Sequence, residues 1–179
     1  MGLRRKPPVQ RRDVDSWTVR LEVDEREVLS TVMRQLDELI EHAETGAELS
    51  VVNRLFPPAF THHESEHEEL DLEYQRLMRE ELITSRRTAI TAVITAFETA
   101  EGNSIEMNQD DLTSFLQTLN ALRVTLASAL SIIDDDSAAV ADEQSEASPE
   151  HHLYMWSGWM LEWVVNALAE TLPVEGGTS

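Results

Sequence analysis

The sequence predicts a mainly α-helical fold: a single-domain bundle of about five helices with a small two-stranded β element at about residues 17–23 and 104–107. Three observations carry it. Long stretches place apolar residues at helical spacing. Trp17, Val19, Leu21 and Val23 alternate with polar residues, the period of a half-buried strand. The last apolar run, Leu153 to Leu168, holds three of the four tryptophans and is apolar on nearly every helical face.

In chain order, residues 1–12 carry Arg4, Arg5, Lys6, Arg11 and Arg12 with no acid, and read as a basic disordered arm. The domain then spans 13–172. After the first strand, Asp24 is the expected N-cap of a helix, with Glu27 completing a capping box and Val23 and Val28 a hydrophobic staple. Val28, Leu29, Val32, Met33, Leu36, Leu39 and Ile40 continue it, and Gly46 stops it. Asn53 to Phe60 is a proline-stiffened connection. Residues 61–101 read as helical throughout. A rod of that length would reach about 60 Å, so a break is expected near Met78–Glu81.

The first strand-to-helix device recurs. Ile105-Glu106-Met107 leads into Asn108 as cap, with Asp111 as its box partner and Met107 with Leu112 as staple. A strand at 104–107 and a helix over about 109–133 follow. One strand cannot satisfy its own backbone, so the two strands are expected to pair. Residues 134–148 are acidic, small and aperiodic, and read as a mobile loop. Ser148 then caps the tryptophan helix, with Pro149 in its first turn. That helix is expected to be a core helix wrapped by the other elements. Its apolar run, interrupted by Glu162 and Asn166, falls short of the ~20 residues a membrane span needs. Residues 173–179 read as a disordered tail.

Composition excludes several functions. With no cysteine there are no disulfides, thiolate nucleophiles or cysteine-ligated metals. The net charge of −20 lies wholly beyond the basic arm, which disfavours nucleic-acid binding except through residues 1–12. Glycine-rich phosphate loops and nucleophile elbows are missing. No leader or span is evident, so the expected location is cytoplasmic.

His63-Glu64-Ser65-Glu66-His67 spells the H-E-x-x-H pattern in which two histidines bind zinc and the glutamate activates water. Glu66 inside it and Glu68-Glu69 after it make a solvated acidic turn. Thr61 and Glu64 form a capping box of their own. No metal or cofactor is therefore assigned to His62, His63 or His67. Arg123 and Glu162 are charges inside apolar helices, expected either to pair, fixing the last helix to the one before it, or to reach solvent each along its own stem. Trp156, Trp159, Met160 and Trp163 are the candidate interface, because such residues are enriched at interface cores.

Asn53-Arg54-Leu55-Phe56-Pro57, Glu73-Tyr74-Gln75-Arg76-Leu77, Leu119-Asn120-Ala121-Leu122-Arg123 and Tyr154-Met155-Trp156-Ser157-Gly158-Trp159-Met160-Leu161-Glu162 occur in one order and spacing. Together they resemble an actinobacterial domain-of-unknown-function family, the one numbered two thousand and seventeen. The single lysine against thirteen arginines agrees with a high-GC source. The resemblance implies no activity and no catalytic residues. It implies a cytoplasmic protein of a family whose genes commonly lie beside that of ClpS, the Clp protease adaptor. The expected function is a non-catalytic helical protein working through protein contacts, regulatory or accessory to Clp-dependent proteolysis, with a homodimer as one use of the tryptophan face. The alternatives are a metal-dependent hydrolase using His63, Glu64 and His67, and a transcriptional regulator using residues 1–12.

Overall fold

The structure, a computed structural model, describes residues 6–42, 68–130 and 148–170. Strands β1 (Val9–Asp13) and β2 (Ser16–Arg20) form a hairpin, and β3 (Ser104–Met107) pairs with the other edge of β2. The sheet is antiparallel, in the order β1-β2-β3. Four helices complete the described chain: α1 (Val23–His42), α2 (Glu68–Thr99), α3 (Gln109–Ala129) and α4 (Pro149–Ala169).

The register explains the strand composition. Trp17 lies opposite Met107 and Val19 opposite Ile105, and all four are buried against the helices. On the other face the Thr18 hydroxyl donates to Glu106 Oε1 at 2.8 Å and accepts from Arg12 Nε at 2.9 Å, which ties the three strands together. The expected two-stranded element is therefore three-stranded. Residues 9–12, assigned to a disordered arm, belong to β1.

Arg11 shows why its charge misled. Its guanidinium donates to the carbonyls of Asp13, Val14 and Glu170 at 3.0, 2.8 and 3.2 Å, and lies 5.8 Å from the centre of the Trp17 ring. It holds the hairpin turn, and its bond to Glu170 serves the carbonyl end of α4, where cations are favoured.

The central helix is α3, with Leu112, Phe115, Leu119, Leu122 and Leu126 buried. It packs against α2 on one side and α4 on the other, and α1 packs on α2. Phe97 of α2 meets Phe115 edge to face, with ring centres 5.7 Å apart. Arg87 of α2 holds Asp37 of α1 through two parallel bonds of 2.9 and 3.1 Å. This pairing, with Glu41 beside it, raises the Arg87 pKa. The last helix, expected at the centre, instead flanks α3.

Two helix starts are as the sequence predicts. Asn108 accepts from the Asp111 amide while Asp111 accepts from the Asn108 amide, a complete capping box. Met107 and Leu112 are both buried beside it. Ser148 caps α4, with Pro149 as its first residue. Replacing Asn108 by Ala is expected to cost about 1 kcal/mol in denaturant unfolding.

The start of α1 differs. The Arg26 amide bonds the Glu22 carbonyl at 3.0 Å and the Glu22 amide bonds Glu25 Oε2 at 2.9 Å, so the cap is Glu22 rather than Asp24. Strand pairing ends at Arg20 opposite Ser104, with one further bond from the Leu21 amide to the Asn103 carbonyl at 3.2 Å, and the chain then turns into the helix. Val23 and Val28 are 40 and 60 % exposed and form no staple.

Nor does α2 break at Met78–Glu81. With no Gly or Pro in this stretch nothing interrupts the hydrogen-bond ladder, and 32 residues run for about 48 Å. Leu77, Met78 and Leu82 are exposed, so this part of the rod stands clear of the core that confined the expectation. Gly46, the 53–60 connection, residues 134–147 of the acidic loop and the 173–179 tail lie outside the described residues.

Candidate functional site

The outer side of α4 is the most unusual surface of the described chain. Tyr154, Ser157, Met160, Val164 and Ala167 recur at intervals of three and four and are buried against the core. An amphipathic helix would place polar residues opposite them. Here Met155, Trp159 and Val165 are 56, 47 and 47 % exposed, and Trp163 is 36 % exposed. Trp156 is half-buried at the edge of the stripe. Of the four candidate interface residues, Met160 is a core residue, 1 % exposed. The helical period decides this, since Met160 falls three residues after Ser157 and four before Val164, on the inward stripe.

Two hollows flank this helix. One, of about 850 Å³, has Trp156, Trp159 and Trp163 on one side and Lys6, Arg20 and Glu22 among the residues facing them. The other, of about 640 Å³, lies where α1 approaches the start of α4, between Val28 and Val32 and the pair Leu153 and Trp156. Glu25 and Trp156 line both, so the hollows adjoin. The opposing wall from Lys6 to Glu25 was not legible in the sequence, because pairing of β2 with a distant strand brings it there. The one local signal on the α1 side is Val28, in the smaller hollow, an apolar residue left over from the buried stripe of α1.

The polar groups of the walls are positioned rather than reactive. Arg20 donates to the Pro7 carbonyl at 2.8 Å and to Gln10 Oε1 at 3.1 Å. Glu22 accepts from the Asn103 side chain, and Glu25 is occupied with the α1 cap. Glu150 accepts from the Ser148 hydroxyl at 2.5 Å, which holds its carboxyl below the usual range and keeps it charged at neutral pH.

Arg123 and Glu162 do not form the expected ion pair. Arg123 lies over the Tyr154 ring, 5.1 Å from its centre, and donates to the Tyr154 hydroxyl at 3.3 Å. Glu162 is exposed. Arg123 crosses α4 at Gly158, where a Cβ would lie at ordinary contact distance, 3.4 Å from Arg123 Nε. From there its head turns back to Tyr154, two turns before Glu162. A carboxylate in solvent also keeps hydration that a buried pair would forfeit.

The expected results at position 158 separate backbone freedom from space. Gly158→Ala is expected to be neutral or to stabilise by up to about 1 kcal/mol, because mid-helix glycine is costly and 3.4 Å is ordinary contact. Gly158→Leu is expected to displace Arg123 and cost about 1–3 kcal/mol. Thermal unfolding of both variants checks the pair.

No three His, Asp or Glu side chains are grouped to hold a metal among the described residues, and no helix there is long and apolar enough to cross a membrane. His62, His63, Glu64 and His67 lie outside them. The model of a domain of unknown function, DUF2017, matches residues 6–168. The chain belongs to the DUF2017 family. The DUF2017 match takes in all three strands and the tryptophans of α4, and it begins at Lys6, in the wall of the larger hollow. Searches of curated proteins and of solved structures return no match.

Proposed function

We propose that this DUF2017 chain is a non-catalytic, cytoplasmic interaction module whose working surface is the tryptophan face of α4. The observation that carries the reading is the exposure of Trp159 and Trp163 while Trp17 is fully buried. Leaving indoles in water forgoes about 25 cal/mol per Å² of burial, and tryptophan is the residue most enriched among interface hot spots. The hollow beside them gives a partner side chain a place to enter.

The ClpS neighbourhood implied by the family resemblance makes ClpS and the Clp ATPase the first partners to test, in a regulatory or accessory role. The experiment is affinity purification of the native chain and of the Trp159→Ser/Trp163→Ser variant, each followed by reconstitution with purified ClpS and Clp ATPase. A stoichiometric partner held by the native chain and lost by the folded variant is the expected result. Equal retention by both would remove the face from the function.

A further inference from the structure

The two hollows adjoin at Glu25 and Trp156 and follow one stripe of α4, so together they form a channel-like groove whose charge bears on what enters it. Its α4 wall runs from Pro149 to Trp163, fifteen residues and about 21 Å. That is the length of four helical turns.

Several backbone groups of the opposing walls are already engaged: Arg20 donates to the Pro7 and Pro8 carbonyls, and the Leu21 amide donates to the Asn103 carbonyl. Glu25, Val28 and Val32 come from α1, whose backbone is internally bonded. Pro7 and Pro8, in the wall of the larger hollow, carry no N–H to offer. A ligand along most of this channel must satisfy its own backbone, as a helix does and an extended strand does not.

Charge is distributed unevenly. The smaller hollow has Asp24, Glu25 and Glu150 in its lining and no lysine or arginine, around an apolar floor that includes Val28, Leu153 and Trp156. The larger hollow holds Lys6 and Arg20 against Glu22 and the shared Glu25, two cations facing two acids. A cationic group is therefore favoured at the α1 end only. The net charge of −20 draws cationic partners from a distance and opposes a second copy of this chain.

We propose that the channel between α1, α4 and the 6–8 segment receives an amphipathic helix of a partner protein, about four turns long, with its apolar face on Val28, Leu153 and the indoles and its lysine- or arginine-bearing end against Asp24, Glu25 and Glu150. This rests on the reading of the tryptophan face as a contact surface and adds the chemistry of what it contacts.

The test uses the full chain and three synthetic sixteen-residue helical peptides with one shared leucine face. One carries lysines in its first turn, one carries them in its last turn, and one carries glutamates at both ends. One lysine peptide is expected to bind at least ~10-fold more tightly than the glutamate peptide, shifting indole emission to the blue. Asp24→Asn/Glu150→Gln should narrow that ratio several-fold, and added salt should do the same. Trp159→Ser should weaken binding of both peptides while circular dichroism stays native.

Equal binding of the lysine and glutamate peptides would overturn the proposal, as would no binding of any. A native chain that is dimeric by light scattering and becomes monomeric in Trp159→Ser would assign the channel to a second copy instead. If all three peptides fail while the purified partner is still lost in Trp159→Ser/Trp163→Ser, the helix inference falls and the contact surface stands.

Discussion

Trp17→Ala is expected to lower stability by about 3–5 kcal/mol, the cost of emptying the largest fully buried side chain of the fold. Trp17 sits on the central strand, between Arg11 on β1 and Met107 on β3, with the helices beneath it. A cavity there cannot close from the sheet side without unpairing β2. The variant also removes the ring under the Arg11 guanidinium, which bonds the Glu170 carbonyl, so the hairpin and the end of α4 should loosen together. For a chain of this size the loss corresponds to roughly 6–20 °C in Tm. Trp17→Phe should cost clearly less. It keeps a ring in place and removes the indole N–H, which is buried without a hydrogen-bond partner. Calorimetry of both variants checks the order.

The second large effect lies in α4, where adjacent residues should behave oppositely. Met160→Ala is expected to cost about 2–5 kcal/mol, because the side chain is 1 % exposed on the stripe that packs against the core. Trp159→Ala, one residue earlier and larger, is expected to cost less than about 1 kcal/mol, because nearly half of its surface is already in water. Denaturant midpoints measured side by side give the comparison. If the two losses were equal, Trp159 would be core and the outer face would not be a free surface.

What the sequence made legible is what short-range chemistry specifies. Asn108 with Asp111, and Ser148 with Pro149, place two helix starts because a cap needs only residues within one turn. The strand at Ile105 and Met107 follows from alternation. Where distant partners decide, local reading failed. Val9-Gln10-Arg11-Arg12-Asp13 has one apolar residue in five, yet it is a strand because β2 offers it an edge and Glu170 offers Arg11 an acceptor. The start of α1 moved to Val23, just past the bond from the Leu21 amide to the Asn103 carbonyl beside β3.

The site was half legible for the same reason. The tryptophan surplus on one helix is visible in the sequence, and the helical period could have separated Met160 from Trp156, Trp159 and Trp163. The facing wall could not be read, because Lys6, Arg20 and Glu25 meet α4 only through the sheet and α1. Arg123 and Glu162 show the limit of pairing by composition. Tyr154 offered the guanidinium a partner, and the carboxylate stayed in solvent.

The central claim is that the outer face of α4 serves contact rather than folding, and Trp159→Ser/Trp163→Ser tests it most directly. Thermal unfolding and partner binding measured on the same preparation are expected to show a Tm within a few degrees of the native chain and a loss of binding of at least ~10-fold. A collapse in Tm, or binding that survives both substitutions, would contradict it.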